Sequence, residues 1–356
     1  MDLAGRFVRD ARTRQPRGHA PRSEPWSGLG ATLSTLWRVL PLSLLAACAT
    51  EAPEAPPESE GLVDRIWRVS DGAFVEQDEL LALAMASSHV LLGEVHINPH
   101  HHDAQTEFLA ALIAEGARPA VVFEMFHRDQ QDAIDGLREG MRPDAGQIAA
   151  ATDFEERGWD WPFYAALVEL ALAEDLPILA GNAPRQDSRS VVMDGFAALP
   201  HSARDFPGLD RPLPAAAEAA LVDTMVASHC GHAMGDLANR LVAAQRLRDA
   251  SMAEVMLAAD AGQPATVLIT GAGHARRDYG VPWYLAAGGQ RDGVLSIALM
   301  EVEPGVGDPS AYVDAIDGLP MPYDFLWFTP RIEREDPCEQ FRKGLQRLEK
   351  RGSGGD

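Results

Sequence analysis

Short apolar runs recur along the chain, each followed by polar side chains and then by a helical spacing of apolar positions. Runs without alternation are typical of strands that are buried on both faces of a parallel sheet. The predicted strands span residues 89–92, 119–123, 176–180, 265–270 and 293–300. Because helical stretches separate them, we predict an α/β fold with a mostly parallel sheet flanked by helices.

Residue types that favour the ends of helices mark the limits of the predicted helices. Helices are predicted over residues 79–86, 104–115, 128–138 and 163–173. For the second of these, Asp103 is the predicted N-cap and Gly116 the predicted C-terminal stop. Residues 215–259 are mostly helical, and we predict that they form a small helical subdomain inserted into the α/β domain.

The N-terminal part contains a processing signal. Residues 39–47 read VLPLSLLAA, follow Arg38 and precede Cys48. A run of this length is too short for a transmembrane helix, which needs about 20 residues, but suits the apolar part of a signal peptide. Small residues ending in a cysteine resemble the bacterial lipobox. We therefore predict a lipoprotein signal peptide over residues 1–47 and lipidation of Cys48.

The predicted signal peptide is followed by a tether and then by the folded body. Residues 48–60 are rich in Pro, Glu and Ala and lack apolar periodicity, as expected of an extended linker. The α/β domain is predicted over 61–332 and a charged tail over 333–356. Since Ala49 is not Asp, we expect a lipid-anchored protein of the cell envelope, in the outer rather than the inner membrane.

The overall charge excludes some classes of partner. The formal net charge is -22, so binding to nucleic acid phosphates is not expected. The three cysteines do not have the C-x-x-C spacing of a metal site. Whether Cys230 pairs with Cys338 stays open, and so does a homodimer.

Four predicted strands end in polar groups, and two of them end in the same pattern. Gly93-x-x-His96 and Gly271-x-x-His274 follow the first and fourth strands, with Glu94 beside the first histidine. Glu124 follows the second strand, and Asn182 and Arg185 follow the third. Because the carboxyl ends of parallel strands meet at one edge of the sheet, these groups predict a shared pocket.

The chemistry of this predicted pocket has two interpretations. His96, His274 and Glu124 could bind a divalent transition metal. The same groups, with Glu94, could instead form a metal-free acid/base site. The adjacent run His100-His101-His102 is equally compatible with a solvated loop and with ligand binding.

Five segments in order resemble the ChaN-like haem-binding lipoproteins. They are GEVHINPHHHDAQ, VVFEMF, AGNAPR, AAQRLRDASMA and ITGAGHARRDYGVPWYL. The superfamily of that family also includes the Tiki proteases and the erythromycin esterases. The ChaN side of the resemblance implies haem binding and iron acquisition at the cell surface, whereas the other side implies hydrolysis.

The resemblance also suggests roles for particular residues. It implies a central set of Glu94, His96, Glu124 and His274, which would be catalytic in a hydrolase. The predicted ligand-binding residues are Glu94, His96, Asn182, Arg185, His274 and Tyr279. Haem needs an axial ligand, and the candidates are Tyr164, His229, His274, Tyr279 and Tyr284. We therefore expect a surface-tethered lipoprotein that binds haem or another iron-containing ligand; the alternative is a metal-dependent or acid/base hydrolase of a peptide or ester.

Overall fold

The computed structural model describes residues 61–140, 142–154, 159–232, 235–259, 264–336, 338–339 and 342–343. The predicted signal peptide, Cys48 and the tether lie outside these ranges. Among the helices described, none is both long and apolar enough to cross a membrane.

The described strands form one eight-stranded sheet. They are β1 (Ile66–Arg68), β2 (Ala73–Val75), β3 (His89–Glu94), β4 (Ala120–His127), β5 (Ile178–Asn182), β6 (Thr266–Gly271), β7 (Val294–Glu301) and β8 (Phe325–Thr329). Their order across the sheet is β2-β1-β8-β7-β3-β6-β4-β5. From β8 to β5 all neighbours are parallel, and only β1 is antiparallel to its neighbours β2 and β8. The predicted mostly parallel sheet is confirmed.

Helices lie between the strands along the chain. They are α1 (Gln77–Ala86), α2 (Pro99–Ala114), α3 (Gln131–Gly140), α4 (Ala145–Ala151), α5 (Trp161–Ala173), α6 (Arg185–Asp194), α7 (His201–Arg204), α8 (Ala215–Ser228), α9 (Asp236–Ala258), α10 (Ala272–Ala275) and α11 (Val281–Ala287). The segment predicted as a helical insertion is thus α8 and α9. Helix α9 packs against β5 and β4 of the sheet, and α8 packs against α9.

The strands bury apolar side chains on both faces of the sheet. In β3, Val90 and Leu92 belong to one hydrophobic cluster and Leu91 to the other, on the opposite face. All three are at most 1% exposed. Full burial of such a side chain contributes about 1.5–3 kcal/mol to stability. This two-sided burial explains why the strands appear in the sequence as continuous apolar runs.

Helix α2 begins earlier than predicted. Its N-cap is Asn98, whose side-chain oxygen accepts a hydrogen bond from the backbone N–H of His100 at 2.9 Å, and Pro99 occupies the first turn. Pro is favoured there because its fixed φ suits the helix and no N–H is needed. The prediction of Asp103 as the N-cap is therefore wrong, and the run His100–His102 lies in the first helical turn instead of a loop.

Three strands were not predicted as strands. The strands β1 and β2 have three residues each, too few for a pattern to show, and β8 has only five. These strands extend the sheet beyond β7, on the side away from the β3-β6-β4-β5 strand ends.

The outer edge of β5 is covered by one side chain. The backbone N–H of Ala180 donates to Oε1 of Gln131 at 2.7 Å, and Nε2 of Gln131 donates to the carbonyl of Ile178 at 3.0 Å. The amide therefore satisfies one donor and one acceptor that a further strand would use. Elsewhere, Cys230 at the end of α8 forms a disulfide with Cys338, which answers the question that the sequence left open.

Candidate functional site

The polar strand ends lie at one edge of the sheet. Strands β3, β6, β4 and β5 are successive neighbours, and Glu94 at the end of β3 is in register with Gly271 at the end of β6. The strand β4 continues past Glu124 to His127, which is paired with Asn182 of β5. The side chains predicted to share a pocket are therefore brought together by parallel pairing.

Glu94 is buried and holds three neighbours. Its side chain is fully covered, although it is a carboxylate. Oε1 accepts hydrogen bonds from the Tyr164 hydroxyl at 2.7 Å and from Nδ1 of His96 at 2.9 Å. Oε2 lies 3.2 Å from Nδ1 of His102, but neither atom has a hydrogen-bond partner among the described residues. A buried carboxylate needs such donors, and here they also fix the orientation of the His96 ring.

His96 is the most accessible member of this set. Its side chain is 37% exposed, and its ring meets the edge of Trp159 with centroids 4.9 Å apart. Its ring lies over Gly271, where an added Cβ would be 2.8 Å from Nε2. Burial opposes the charged form, but the hydrogen bond to Glu94 and the charge of Glu124 raise the pKa of His96.

Among Glu94, Glu124 and Asp249, Glu124 is the carboxylate with the most polar partners. Oε2 accepts hydrogen bonds from the Thr270 hydroxyl and from the backbone N–H of Gly271, both at 2.7 Å. Oε1 accepts a hydrogen bond from Nη2 of Arg248 and lies 3.2 Å from Nε2 of His274. Burial would raise the pKa of Glu124, yet the two cations outweigh it and hold the pKa well below its usual range. Glu124 is therefore a fixed anion.

His274 lies between two carboxylates. Its Nδ1 donates to Oδ1 of Asp249 at 2.5 Å, and its Nε2 faces Glu124. Burial disfavours the charged imidazole, but Glu124 and Asp249 outweigh burial and raise the pKa of His274 to about 9. His274 is thus an imidazolium at neutral pH. Burial raises the pKa of Asp249, whose Oδ2 has no hydrogen-bond partner in the described part of the chain.

The histidine run beside the site is mostly structural. His101 is buried, accepts a hydrogen bond from the backbone N–H of Val95 at 2.8 Å and lies 2.8 Å from the Thr329 hydroxyl. Burial lowers the pKa of His101 to about 4, which suits its acceptor role. His102 stacks on Phe163. Only His100 is exposed. The alternative of a solvated loop is therefore wrong for His101 and His102, whereas ligand binding by the run stays a prediction.

A cavity adjoins the buried groups. Its volume is about 400 Å³, and it is lined by Trp159, Asn182, Arg185, Ser188, Arg189 and Arg248, together with His127. Nδ2 of Asn182 donates to the backbone carbonyl of Glu124 at 2.9 Å. The structure therefore brings Asn182 and Arg185 to the predicted site. The volume is within the range of small-molecule sites, about 300–1,000 Å³.

The remaining candidates lie elsewhere or have other partners. Tyr279 packs in a cluster with Leu213, Ala217, Leu221 and Val242. The hydroxyl of Tyr284 accepts a hydrogen bond from Nε of Arg246 at 3.2 Å. His229 is exposed at the end of α8.

The predicted divalent-metal site is not supported. Within the described ranges, no three His, Cys, Asp or Glu side chains are placed to hold one ion. The groups that would bind it are already bound to one another, since Glu124 and Asp249 flank a protonated His274.

Three contributors have contacts that were not predicted from the sequence, where Tyr164 was named only as a candidate haem ligand. Arg248 binds Glu124, Asp249 binds His274, and Tyr164 binds Glu94. Gln245, Arg248 and Asp249 are spaced i, i+3 and i+4 on α9, so they share one helix face. That spacing was a usable signal. The contact of Tyr164 was not foreseeable, because it joins residues 70 positions apart.

Comparison with known proteins gives the relationships of the chain. The structure of ChaN of Campylobacter jejuni, described as showing cofacial heme binding, matches with a TM-score of 0.59 and 18% identity, covering 74% of this chain and 95% of that chain. The type III effector HopBA1 matches with a TM-score of 0.39 and 13% identity, covering 72% and 93%. An erythromycin esterase, EreC, in its open conformation matches with a TM-score of 0.36 and 15% identity, covering 74% and 81%. No curated protein matches the chain.

The family is shown by its sequence model. The model described as "Haem-binding uptake, Tiki superfamily, ChaN" matches residues 80–285, which span β3 to α11 and include every group of the strand-end site. The chain therefore belongs to the ChaN family of haem-binding uptake proteins, within the Tiki superfamily.

Proposed function

We propose that the protein binds haem at the strand-end cleft, with His96 as the axial ligand of the iron. The observation that supports this proposal is the hydrogen bonding of the His96 imidazole. Nδ1 is held by Glu94, and Nε2 makes no hydrogen bond within the described residues. A histidine whose one nitrogen is bound to a carboxylate presents the other nitrogen to a metal in a defined orientation.

The surroundings of His96 fit a haem ligand. Trp159 both contacts the His96 ring and lines the neighbouring cavity, so an aromatic wall adjoins the imidazole. The absence of a side chain at Gly271 leaves room for the ring. An imidazole is among the usual axial ligands of haem iron. Bound haem would supply iron coordination chemistry, and the protein would supply the ligand and a partly apolar slot.

The other candidate ligands fit less well. His274 is an imidazolium at neutral pH, so neither ring nitrogen has a lone pair for iron. The hydroxyl of Tyr164 is bound to Glu94, and burial raises the pKa of Tyr164, which disfavours the phenolate that binds iron. Tyr284 is fully buried. These contacts support His96 over His274, Tyr164 and Tyr284.

We propose a cellular location of the protein together with this function. A lipid anchor at Cys48 would tether the domain to the outer membrane through the linker 48–60, and haem captured there would serve iron acquisition. The support is the apolar run that ends in Cys48. Replacement of Cys48 by Ala should release the protein from the membrane fraction, and continued membrane association of that variant would contradict the anchor.

Haem titration of the full-length protein in detergent tests the proposal. We expect a shifted Soret band that saturates near one equivalent per site and is lost in His96→Ala. His100→Ala is the matched control, since His100 is exposed and its side chain makes no hydrogen bond to the described residues. No Soret shift in the wild-type protein would contradict haem binding. An unchanged spectrum in His96→Ala would contradict only the ligand assignment.

A hydrolase is the second candidate function, because one acid and one base are available at the same edge. The imidazolium of His274 can donate a proton, whereas Nε2 of His96 can accept one from water once the His96 imidazole has lost its own proton. Glu124 would stabilise the positive charge of the His274 imidazolium. A panel of peptides and esters would test this: turnover that is lost in Glu124→Gln and in His96→Ala would support hydrolysis, and no turnover in wild type would exclude it for that panel.

A further inference from the structure

The turn that carries His96 lies beside the ends of two further strands. Residues 95–98 form this turn, which the backbone N–H of Asn98 closes by donating to the carbonyl of Val95 at 2.9 Å. The turn follows β3, whose neighbour on one side is β7, and β8 is the next strand beyond β7. These three strands are parallel, so their carboxyl ends lie at the same edge of the sheet.

Asn98 connects the turn to the end of β7 and to the chain after β8. Its Nδ2 donates to Oε1 of Glu301 at 2.8 Å and to the backbone carbonyl of Pro330 at 3.0 Å. Asn98 and Glu301 are both buried. Breaking a buried hydrogen bond leaves polar groups that water does not reach, and this has a large cost in free energy. The position of Asn98, two residues after His96, is therefore fixed from outside the turn.

Arg334 extends this connection to the C-terminal part of the chain. Its Nη1 donates to Oε1 of Glu301 and its Nη2 donates to Oε2, both at 2.7 Å. Paired hydrogen bonds of this kind fix the direction of a carboxylate as well as its charge. Burial would raise the pKa of Glu301, yet the hydrogen bonds from Arg334 and Asn98 lower it. Without Arg334, the buried carboxylate that holds Asn98 would lose its ion pair.

A second connection holds the other end of the turn. The backbone N–H of Val95 donates to Nδ1 of His101 at 2.8 Å. Because Nδ1 of this neutral ring is an acceptor, Nε2 carries the proton and donates to the Thr329 hydroxyl at 2.8 Å. The side chains of His101 and Thr329 are buried. The turn is thus held through Val95 at its start and through Asn98 at its end.

The carboxylate and the guanidinium of this connection come from outside the segment that matches the family. The match covers residues 80–285, whereas Glu301 and Arg334 follow it. Four residues after Arg334, Cys338 is joined to Cys230 at the end of α8 by the disulfide. The chain near Arg334 is therefore fixed at β8 on one side and at α8 on the other.

We propose that Arg334 is a positioning residue for His96: by binding Glu301 it holds Asn98, and so fixes the turn from which the imidazole reaches haem iron. This inference rests on the proposed haem-binding function and adds to it a C-terminal element that sets the geometry of the ligand. Arg334 acts on His96 through two other side chains. Replacing groups that orient a metal ligand typically lowers metal affinity roughly 10- to 100-fold.

Arg334→Gln in the full-length protein in detergent tests the proposal. We expect haem binding, followed by the Soret band, to weaken by about tenfold, the lower end of that range. The electron paramagnetic resonance signal of the bound ferric haem should also broaden, because the His96 ring is no longer held in one orientation. A lower melting temperature with the affinity and the signal of wild type would show that Arg334 only stabilises the fold, and would overturn the proposal.

Arg331→Gln is the matched control, because Arg331 lies three residues earlier and also forms an ion pair, with Glu303 at the surface. It removes the same charge and leaves the Glu301–Asn98 hydrogen bond in place. Haem affinity and the signal of the bound haem should equal those of wild type. Losses of equal size in the two variants would show a general effect of charge and would overturn the role of Arg334.

Hydrogen exchange in the absence of haem separates this proposal from the proposed function. The backbone N–H groups of Val95 and Asn98 are both hydrogen-bonded, so their exchange reports on opening of the turn. They should exchange faster in Arg334→Gln than in Arg331→Gln. Equal exchange in the two variants would overturn the positioning role even if wild type binds haem. Faster exchange in Arg334→Gln, with no haem binding by wild type, would overturn the haem function and support the hold on the turn.

Discussion

Nδ1 of His274 lies 2.5 Å from Oδ1 of Asp249, and both side chains are buried at the end of the sheet. With Glu124 on the other ring nitrogen, the imidazole is enclosed by two carboxylates. The site is therefore assembled around a buried charge that the fold must keep protonated.

Stability should depend on pH through this cluster. The folded pKa of His274 is raised from 6.5 to about 9, so its stabilising contribution is fully present below pH 6.5 and is lost as the pH rises through about 9. The pKa of Glu124 is lowered below 4.5, so its contribution is present above that value and is lost on acidification. Urea unfolding from pH 4 to pH 10 should show a maximum between these limits; a free energy of unfolding that rises from pH 7 to pH 10 would contradict the assignment.

Asp249→Asn should lower the pKa of His274, because it removes one of the two charges that stabilise the imidazolium. The measurement is an NMR titration of the His274 ring. The buried His89, which pairs with Thr266 away from this cluster, provides an internal control and should keep its titration unchanged. An unaltered His274 titration in the variant would show that Glu124 alone sets its charge.

Tyr164→Phe should reduce the free energy of unfolding by about 1.5–3 kcal/mol, the usual value for a hydrogen bond to a charged group. The variant leaves Glu94 with one donor fewer in a buried setting. Tyr312→Phe is the control, since the Tyr312 hydroxyl bonds to backbone atoms in a less buried part of the chain. Equal losses in the two variants, measured by chemical denaturation, would argue against a special role for the Tyr164–Glu94 contact.

Gly271→Ala should displace the His96 ring. The new Cβ would lie 2.8 Å from Nε2 and 2.9 Å from Cε1 of His96, and the end of that side chain can rotate away at small cost. We therefore expect a small change in stability, but a loss of haem affinity of roughly tenfold or more, equivalent to about 1.4 kcal/mol.

Gly273→Ala is the matched control for that substitution, because an added Cβ at Gly273 meets nothing within 4 Å. Haem affinity should be unchanged there. Wild-type affinity in Gly271→Ala would show that the position of the His96 ring over Gly271 is not required for binding.

The sequence predicted the location of the site better than its internal contacts. Parallel strands bring their carboxyl ends together, so Glu94, His96, Glu124 and His274 could be grouped from the strand pattern alone. Which of these side chains then bind each other depends on differences of a few tenths of an ångström in their positions. The spacing of residues along the sequence does not predict such differences. The pairing of His274 with Asp249 and the contact of Tyr164 with Glu94 became apparent only in three dimensions.

The errors of prediction have physical causes as well. Asp103 has the side chain of a good N-cap, but Asn98 followed by Pro99 starts the helix one turn earlier. The histidine run looked accessible because histidine is polar, whereas His101 finds two buried hydrogen-bond partners. The strands β1 and β2 are too short to show a period.

The hydrogen bonds of the Gln131 amide at the edge of β5 affect the association of one molecule with another. Gln131 occupies the N–H of Ala180 and the carbonyl of Ile178. These two backbone groups are therefore not available to pair with an extended chain that approaches that edge. At high protein concentration the molecules would meet often, and an unprotected β5 edge would favour intermolecular strand addition. One glutamine thus helps to keep neighbouring copies separate, and Gln131→Ala should make the purified protein aggregate sooner on concentration.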